Sequence, residues 1–251
     1  MRVNGLRARL ESGASTVGAW ITFDSDHLAE TLSYAGFDTV TVDVQHGMFD
    51  LGQAISLLRA IGAGPATPMA RCSSHDPAEI GKLLDAGAYG IVCPNVDTGE
   101  DAARFVRACR YPPVGTRSFG PARGLLYGGP DYLARADDEI LTWAMIESPT
   151  AVGNADEILA TPGLDGIYVG PKDLALVSGL PPTRHISEDL LTSITLLIEK
   201  AHAAGKYFGI FTADAEEGRS VRDLGADLVT PGSDAGLIAA AASEYLSRLR
   251  D

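Results

Sequence analysis

One short pattern recurs along this chain and restricts its fold more than any other feature. Ala35-Gly36-Phe37-Asp38 leads into Thr39-Val40-Thr41-Val42-Asp43, and Ala86-Gly87-Ala88-Tyr89 leads into Gly90-Ile91-Val92-Cys93. Gly163-Leu164-Asp165 leads into Gly166-Ile167-Tyr168-Val169, and Leu224-Gly225-Ala226-Asp227 into Leu228-Val229-Thr230. Each time a helical pattern ends at glycine, which tolerates the left-handed cap geometry. Each time an apolar, strand-like run opens shortly afterwards. This is a helix–strand unit with a short loop, repeated.

Four further apolar runs, at 17–22, 67–72, 141–147 and 207–212, fill the gaps, with amphipathic stretches such as 77–86 and 216–224 between them. Continuous apolar strands alternating with helices belong to a parallel sheet covered on both faces. Eight such units close into a (β/α)8 TIM barrel, an α/β fold of about 250 residues. A doubly wound open sheet is the alternative, but the G-x-G-x-x-G turn that usually announces it is absent after the early strands. No internal boundary is visible, so 1–251 reads as a single domain. Two intervals are long. Residues 111–138, rich in Gly, Pro and Arg, read as a lid, a binding loop or an oligomer contact. Residues 175–185, with Gly179-Leu180-Pro181-Pro182, read as a loop before a long helix over 188–204.

Charge and composition exclude several roles. A net charge of −13 argues against nucleic acid as a partner and means that an acidic substrate needs a local cation. The N-terminus, MRVNGLRARLESG, is too polar for a signal peptide, and no apolar run is long enough to span a membrane. Three cysteines with no framework or zinc spacing point to a reducing cytoplasm.

In such a barrel the active site lies at the C-terminal strand ends, and here those ends carry the chemistry. The second strand exits into Val44-Gln45-His46-Gly47, the third ends at Arg71, the fifth at Glu147, and the sixth leads through Gly170-Pro171-Lys172 to Asp173. Two hard carboxylates beyond neighbouring strands, without His or Cys ligands nearby in sequence, point to Mg²⁺ or Mn²⁺ rather than zinc. The competing reading pairs one carboxylate with Arg71 and uses the other as a helix cap. Arg71 at a buried strand end needs an anion, either a structural carboxylate or a substrate oxyanion. His46 is a base or a histidine bonded to backbone. Lys172 is a Schiff-base lysine, if buried, or an outward lysine held by the acids. Trp20, Met145 and Phe211 line a pocket or pack the core. Gly232-Ser233-Asp234 is an anion-holding helix start or an ordinary cap. Arg117 and Arg123 read as loop residues in solvent, open to ligand or subunit contact.

These residues together are similar to a known family. Val42-Asp43-Val44-Gln45-His46-Gly47, Arg71, Leu83-Leu84-Asp85-Ala86-Gly87-Ala88, Arg110-Tyr111-Pro112-Pro113, Ile146-Glu147 and Gly170-Pro171-Lys172-Asp173-Leu174 resemble, in order, the HpcH/HpaI aldolases. The resemblance implies a (β/α)8 barrel assembled as a homo-oligomer, a hexamer built as a trimer of dimers, with the C-terminal helix exchanged between neighbours. It implies that Glu147 and Asp173 bind a divalent cation (Mg²⁺, Mn²⁺ or Co²⁺) chelated by the keto oxygen and carboxylate of an oxoacid. It places backbone amides from Gly170 to Asp173 on that carboxylate, Arg71 on the enolate oxygen, and His46, oriented by Asp85, in proton transfer. Gln45, Met145 and Lys172 depart from the family's best-known members, which have Glu, Gln and a small residue there, and bear on which aldehyde, and which donor, is accepted. Trp20, Phe211, Gln45, Gly170 and Lys172 are then the expected substrate-binding residues.

The implied activity is a class II aldolase that cleaves or forms 4-hydroxy-2-oxoacids from pyruvate or hydroxypyruvate and an aldehyde. Three rivals stand beside it: a Schiff-base aldolase through Lys172, a related acyl-coenzyme A lyase, and an oxoacid-binding barrel without catalysis.

Overall fold

The computed structural model describes residues 1–181 and 183–250. Its eight strands are β1 (Thr16–Ile21), β2 (Thr39–Asp43), β3 (Thr67–Arg71), β4 (Gly90–Cys93), β5 (Leu141–Ile146), β6 (Gly166–Val169), β7 (Tyr207–Thr212) and β8 (Leu228–Pro231). All pair in parallel in sequence order, and β8 closes onto β1. Helices α1 (Gly5–Glu11), α2 (Asp26–Tyr34), α3 (Leu51–Ile61), α4 (Pro77–Asp85) and α5 (Gly99–Cys109) occupy the first half of the chain. The second half holds α6 (Ala122–Gly128), α7 (Tyr132–Glu139), α8 (Pro149–Gly153), α9 (Ala155–Leu159), α10 (Pro171–Val177), α11 (Glu188–Ala203), α12 (Ala215–Asp223) and α13 (Asp234–Arg250).

Side chains alternate across each strand, and the period of two builds two cores. In β5, Leu141, Trp143 and Met145 point into the barrel, joining Trp20, Met69, Val92, Tyr168 and Leu228. Ala144 and Ile146 point outward into the layer under the helices. Leu6 and Leu10 of α1 join the inner cluster and plug the N-terminal end of the barrel. The opposite end is left for function. The inward parity carries through the strand exits to Trp20, Asp43, Arg71, Glu147, Gly170 and Phe211.

The observed strands fall within about one residue of the sequence reading, but two intervals differ. Residues 111–138 are not an open lid: the segment contains α6 and most of α7. Tyr132 is 1% exposed and Arg117, read as a solvated loop residue, is 4% exposed. The 175–185 interval is helical as far as Val177; Pro182, part of that loop reading, and Asp251 lie outside the described residues. Among the described residues no helix is long and apolar enough to cross a membrane. The three cysteines, Cys72, Cys93 and Cys109, are free and buried. Burial pushes the Cys109 thiol up to about 12, so it packs rather than reacts.

Candidate active site

A cavity of about 220 Å³ opens at the C-terminal strand ends, with Trp20, Asp43, His46, Arg71, Met145, Gly170, Lys172, Asp173 and Phe211 in its wall. Its floor is an ion pair. Asp43 and Arg71 are the last residues of β2 and β3 and stand opposite each other in the register. Arg71 Nε donates to Asp43 Oδ1 at 2.9 Å and Nη2 to Oδ2 at 2.5 Å. Trp20 Nε1–H donates to Asp43 Oδ2 at 3.0 Å, and the backbone N–H groups of Gln45 and His46 donate to Oδ1 at 3.1 Å. Burial alone would push the Asp43 carboxyl up, but the Arg71 hydrogen bonds and charge, with Trp20 and the His46 N–H, hold it below the ordinary range.

This fork settles one open question. Arg71 pairs with Asp43, not with Glu147 or Asp173. Two of its nitrogens are spent on the fork, while among the described residues Nη1 has only Met145 Sδ, at 3.9 Å. The guanidinium carbon lies 5.0 Å from the centroid of Trp20, whose ring meets Phe211 edge-on at 5.7 Å. The aromatic wall and Asp43 therefore fix the direction of Nη1. Asp43 carries this arrangement, yet sequence reasoning gave it no role. The available signal was parity: Asp43 follows Thr41 as Arg71 follows Met69, at the ends of neighbouring strands.

Glu147 lies just past β5 and is 6% exposed. Burial raises its carboxyl above the ordinary value; the Asn95 N–H, donating to Oε1 at 2.7 Å, opposes this, and nearby Asp173 adds to it. Asp173, in the first turn of α10, is exposed at the cavity wall. Among the described residues neither acid has a basic side chain within ion-pair distance. Gly170 makes room between them and the barrel: a Cβ there would lie 3.0 Å from both Glu147 Oε2 and Met145 Cε. The Gly170 N–H is spent on Ile146 O at 3.3 Å, and Pro171 has none. Lys172 and Asp173 therefore supply the free amides at this turn.

His46 is exposed in the cavity wall, presented by a turn in which Gly47 N–H donates to Asp43 O at 2.9 Å. Gly47 cannot carry a side chain, because its Cβ would sit 2.3 Å from Asp43 O. Asp85 does not reach His46 within one chain. It ends α4, at the N-terminal end of the barrel, and its Oδ1 accepts from Arg117 Nη2 at 2.8 Å. Gln45 is half-buried outside the cavity wall, and its Oε1 has no hydrogen-bond partner among the described residues. Lys172 is exposed at the rim, without the burial a Schiff-base lysine needs, and no acid holds it among the described residues. Trp20, Met145 and Phe211 do line the pocket. Asp234 serves the fold: it accepts from Thr22 N–H and Phe23 N–H at 3.0 Å, tying the start of α13 to the β1 exit.

Comparison with known proteins follows the same lines. Residues 16–241 match the family described as HpcH/HpaI aldolase/citrate lyase. The chain belongs to that family. Hydroxypyruvate/pyruvate aldolase from Rhizorhabdus wittichii is 39% identical over 249 residues, 99% of each chain. A 4-hydroxy-2-oxo-heptane-1,7-dioate aldolase from Escherichia coli is 34% identical over 248 residues, 98% of this chain and 94% of its own. A crystal structure of an HpcH/HpaI aldolase/citrate lyase family protein from Burkholderia cenocepacia aligns with a TM-score of 0.92 at 32% identity, covering 99% of this chain and 100% of that one. The family thus spans the barrel and every wall of the cavity.

Proposed function

We propose that this protein is a divalent-metal-dependent aldolase that cleaves or forms 4-hydroxy-2-oxoacids, with pyruvate or hydroxypyruvate as donor and an aldehyde as acceptor. The observation that carries the reading is the meeting, at one end of the barrel, of two acids and an arginine: Asp173 in the cavity wall and Glu147 beside Gly170, neither with a basic side chain within ion-pair distance among the described residues, and an Arg71 nitrogen left without an oxygen acceptor among them. Glu147 and Asp173 offer hard oxygen ligands, and burial first, then the nearby Asp173 charge, pushes the Glu147 carboxyl up. They would hold Mg²⁺, Mn²⁺ or Co²⁺. When bound, such an ion acts as a Lewis acid on the 2-oxo group of the oxoacid.

The chain's own residues perform the rest. In cleavage a base removes the proton from the C4 hydroxyl, the C3–C4 bond breaks, and its electron pair moves into the enolate of the departing oxoacid. Arg71 Nη1 stabilises the negative oxygen that develops, and Asp43 keeps that donor in place beforehand. The free amides of Lys172 and Asp173 hold the substrate carboxylate. His46 carries the proton, and C3 of the enolate is protonated to release pyruvate. Gly170 keeps the space open, while Trp20 and Phe211 exclude water from the inner wall. Lys172 meets the acceptor at the rim, and Gln45 supports the His46 turn.

The site is completed in an oligomer. Asp85 and His46 sit at opposite ends of one barrel, so their pairing joins two copies of the chain. Helix α13 exposes Leu237, Ile238, Tyr245, Leu246 and Leu249. A groove of about 300 Å³ lies beside α12, lined by Val17, Gly218, Val229 and Pro231. In our reading α13 of a neighbour covers apolar surface there, in a hexamer built from dimers, and the enzyme works in the cytoplasm. The test is a screen of oxoacid donors against aldehydes with metal-stripped and reloaded enzyme. Carbon–carbon bond formation that needs the ion supports the reading; pyruvate binding without turnover against any aldehyde refutes it.

A further inference from the structure

Among the described residues, Arg117 leaves more buried nitrogens without an acceptor than any other arginine. Its guanidinium lies between two tyrosine rings, 4.5 Å from the centroid of Tyr111 and 5.5 Å from that of Tyr132. Nη2 donates to Asp85 Oδ1 at 2.8 Å and to the Tyr132 hydroxyl at 3.1 Å. Nε and Nη1 are buried with no acceptor among the described residues. An arginine that serves only the fold spends its donors more fully. Arg110, nearby, donates to Ile140 O and Gly163 O at 3.0 Å as well as to Asp165.

The backbone that carries Arg117 is pinned too. Thr116 N–H donates to Arg107 O at 2.8 Å and Arg117 N–H to Arg110 O at 3.0 Å, folding the loop back onto the end of α5. A rigid loop, a stacked guanidinium and a single committed nitrogen converge on one oxygen of Asp85. That carboxylate ends α4, where it opposes the helix dipole and needs a cation to hold it. Its side chain is still 28% exposed, and Oδ2 has no partner among the described residues.

We propose that Arg117 is a positioning residue for Asp85: clamped between Tyr111 and Tyr132, it fixes Oδ1 so that Oδ2 is presented outward to His46 of a neighbouring copy. This rests on the inter-copy His46–Asp85 pair proposed above. Arg117 touches neither substrate nor metal. It acts through Asp85, so its loss changes turnover more than binding.

The test measures aldol cleavage by Arg117→Met, Arg117→Lys, Asp85→Asn and the Arg117→Met/Asp85→Asn pair, with oligomeric state checked for each. Arg117→Met is expected to lower kcat roughly tenfold to a hundredfold with KM near wild type, as a misplaced group does. Lysine keeps the charge but not the fork, so Arg117→Lys should recover part of the loss. The double variant should fall no further than Asp85→Asn alone. If Asp85→Asn is slow while Arg117→Met turns over at the wild-type rate, the positioning role is overturned and the inter-copy pair survives. Wild-type turnover by Asp85→Asn removes the pair itself, and the role of Arg117 with it. Should Arg117→Met fail to fold, Arg117→Lys with and without Asp85→Asn decides. A loss absorbed into that of Asp85→Asn supports the proposal, and additive losses overturn it.

Discussion

Two buried arginine–aspartate pairs sit at opposite ends of this barrel, and they do different work. At the N-terminal end, Arg110 and Arg7 share Asp165, which also accepts from the Thr142 N–H at 2.8 Å. Arg110 spends its Nη nitrogens on carbonyls, a hydroxyl and the carboxylate. At the C-terminal end, Arg71 grips Asp43 just as firmly but leaves Nη1 without an oxygen. Both arginines are buried and both hold a carboxylate; the unspent donor sets them apart. The purpose of a buried arginine is read from the nitrogen that the fold does not use.

The comparison breaks if both arginines behave alike on substitution. Arg110→Met removes one of the two arginines on Asp165 and leaves Arg7 in place, and should destabilise the fold by about 1.5–3 kcal/mol. Urea denaturation measures this, and the folded fraction should turn over at the wild-type rate. Arg71→Lys keeps the charge but loses the planar fork. It should cost about 2.7–4 kcal/mol of transition-state stabilisation, read as kcat/KM for cleavage, with the smaller effect on stability. If Arg71→Lys instead unfolds the protein and leaves folded turnover untouched, Arg71 is structural like Arg110.

Asp43 sharpens the contrast through pH. Its carboxyl is held below the ordinary value by Arg71, so the folded state prefers it charged. The stabilisation is fully present above the unfolded-state value and disappears as pH falls through the lower folded one. Asp43→Asn should therefore cost about 1.5–3 kcal/mol near neutrality, and its deficit should shrink in acid. A thermal-melt series against pH checks this; a deficit constant across pH would contradict the charged pair.

Glu147 titrates in the opposite sense. Its raised carboxyl means that the metal-free fold carries a penalty for charge, absent in acid and complete once pH has risen through the folded value. An ion held there, as proposed, would remove that penalty. At tenfold excess over Kd, Mg²⁺ or Mn²⁺ should stabilise by about 1.4 kcal/mol near neutrality. The gain should fade in acid as protons displace the ion. Melting curves with and without metal at several pH values are the measurement.

The barrel was legible because each helix–strand junction repeats a glycine followed by an apolar run. The 111–138 helices were not, because Tyr132-Leu133-Ala134-Arg135-Ala136-Asp137-Asp138-Glu139 buries only Tyr132, Ala136 and Glu139. That stripe is too thin to stand out among Gly and Pro. Glu147, Asp173 and Arg71 could be named from their places at strand ends. The Asp43–Arg71 fork joins residues 28 apart in sequence, and only the strand register brings them together. Asp85 illustrates the remaining gap: as the last residue of α4 it faces the N-terminal end of the barrel, away from His46, a consequence of the topology that the sequence reading did not draw.

Enolate formation should depend on a metal held by Glu147 and Asp173. The most direct measurement follows exchange of the pyruvate methyl protons with deuterated solvent by NMR, in stripped, reloaded and Asp173→Asn protein. Exchange should vanish on chelation, return with Mg²⁺, Mn²⁺ or Co²⁺, and return weakly or not at all in Asp173→Asn. Undiminished exchange in metal-free enzyme, with borohydride inactivation in the presence of pyruvate, would contradict the account and move the chemistry to Lys172.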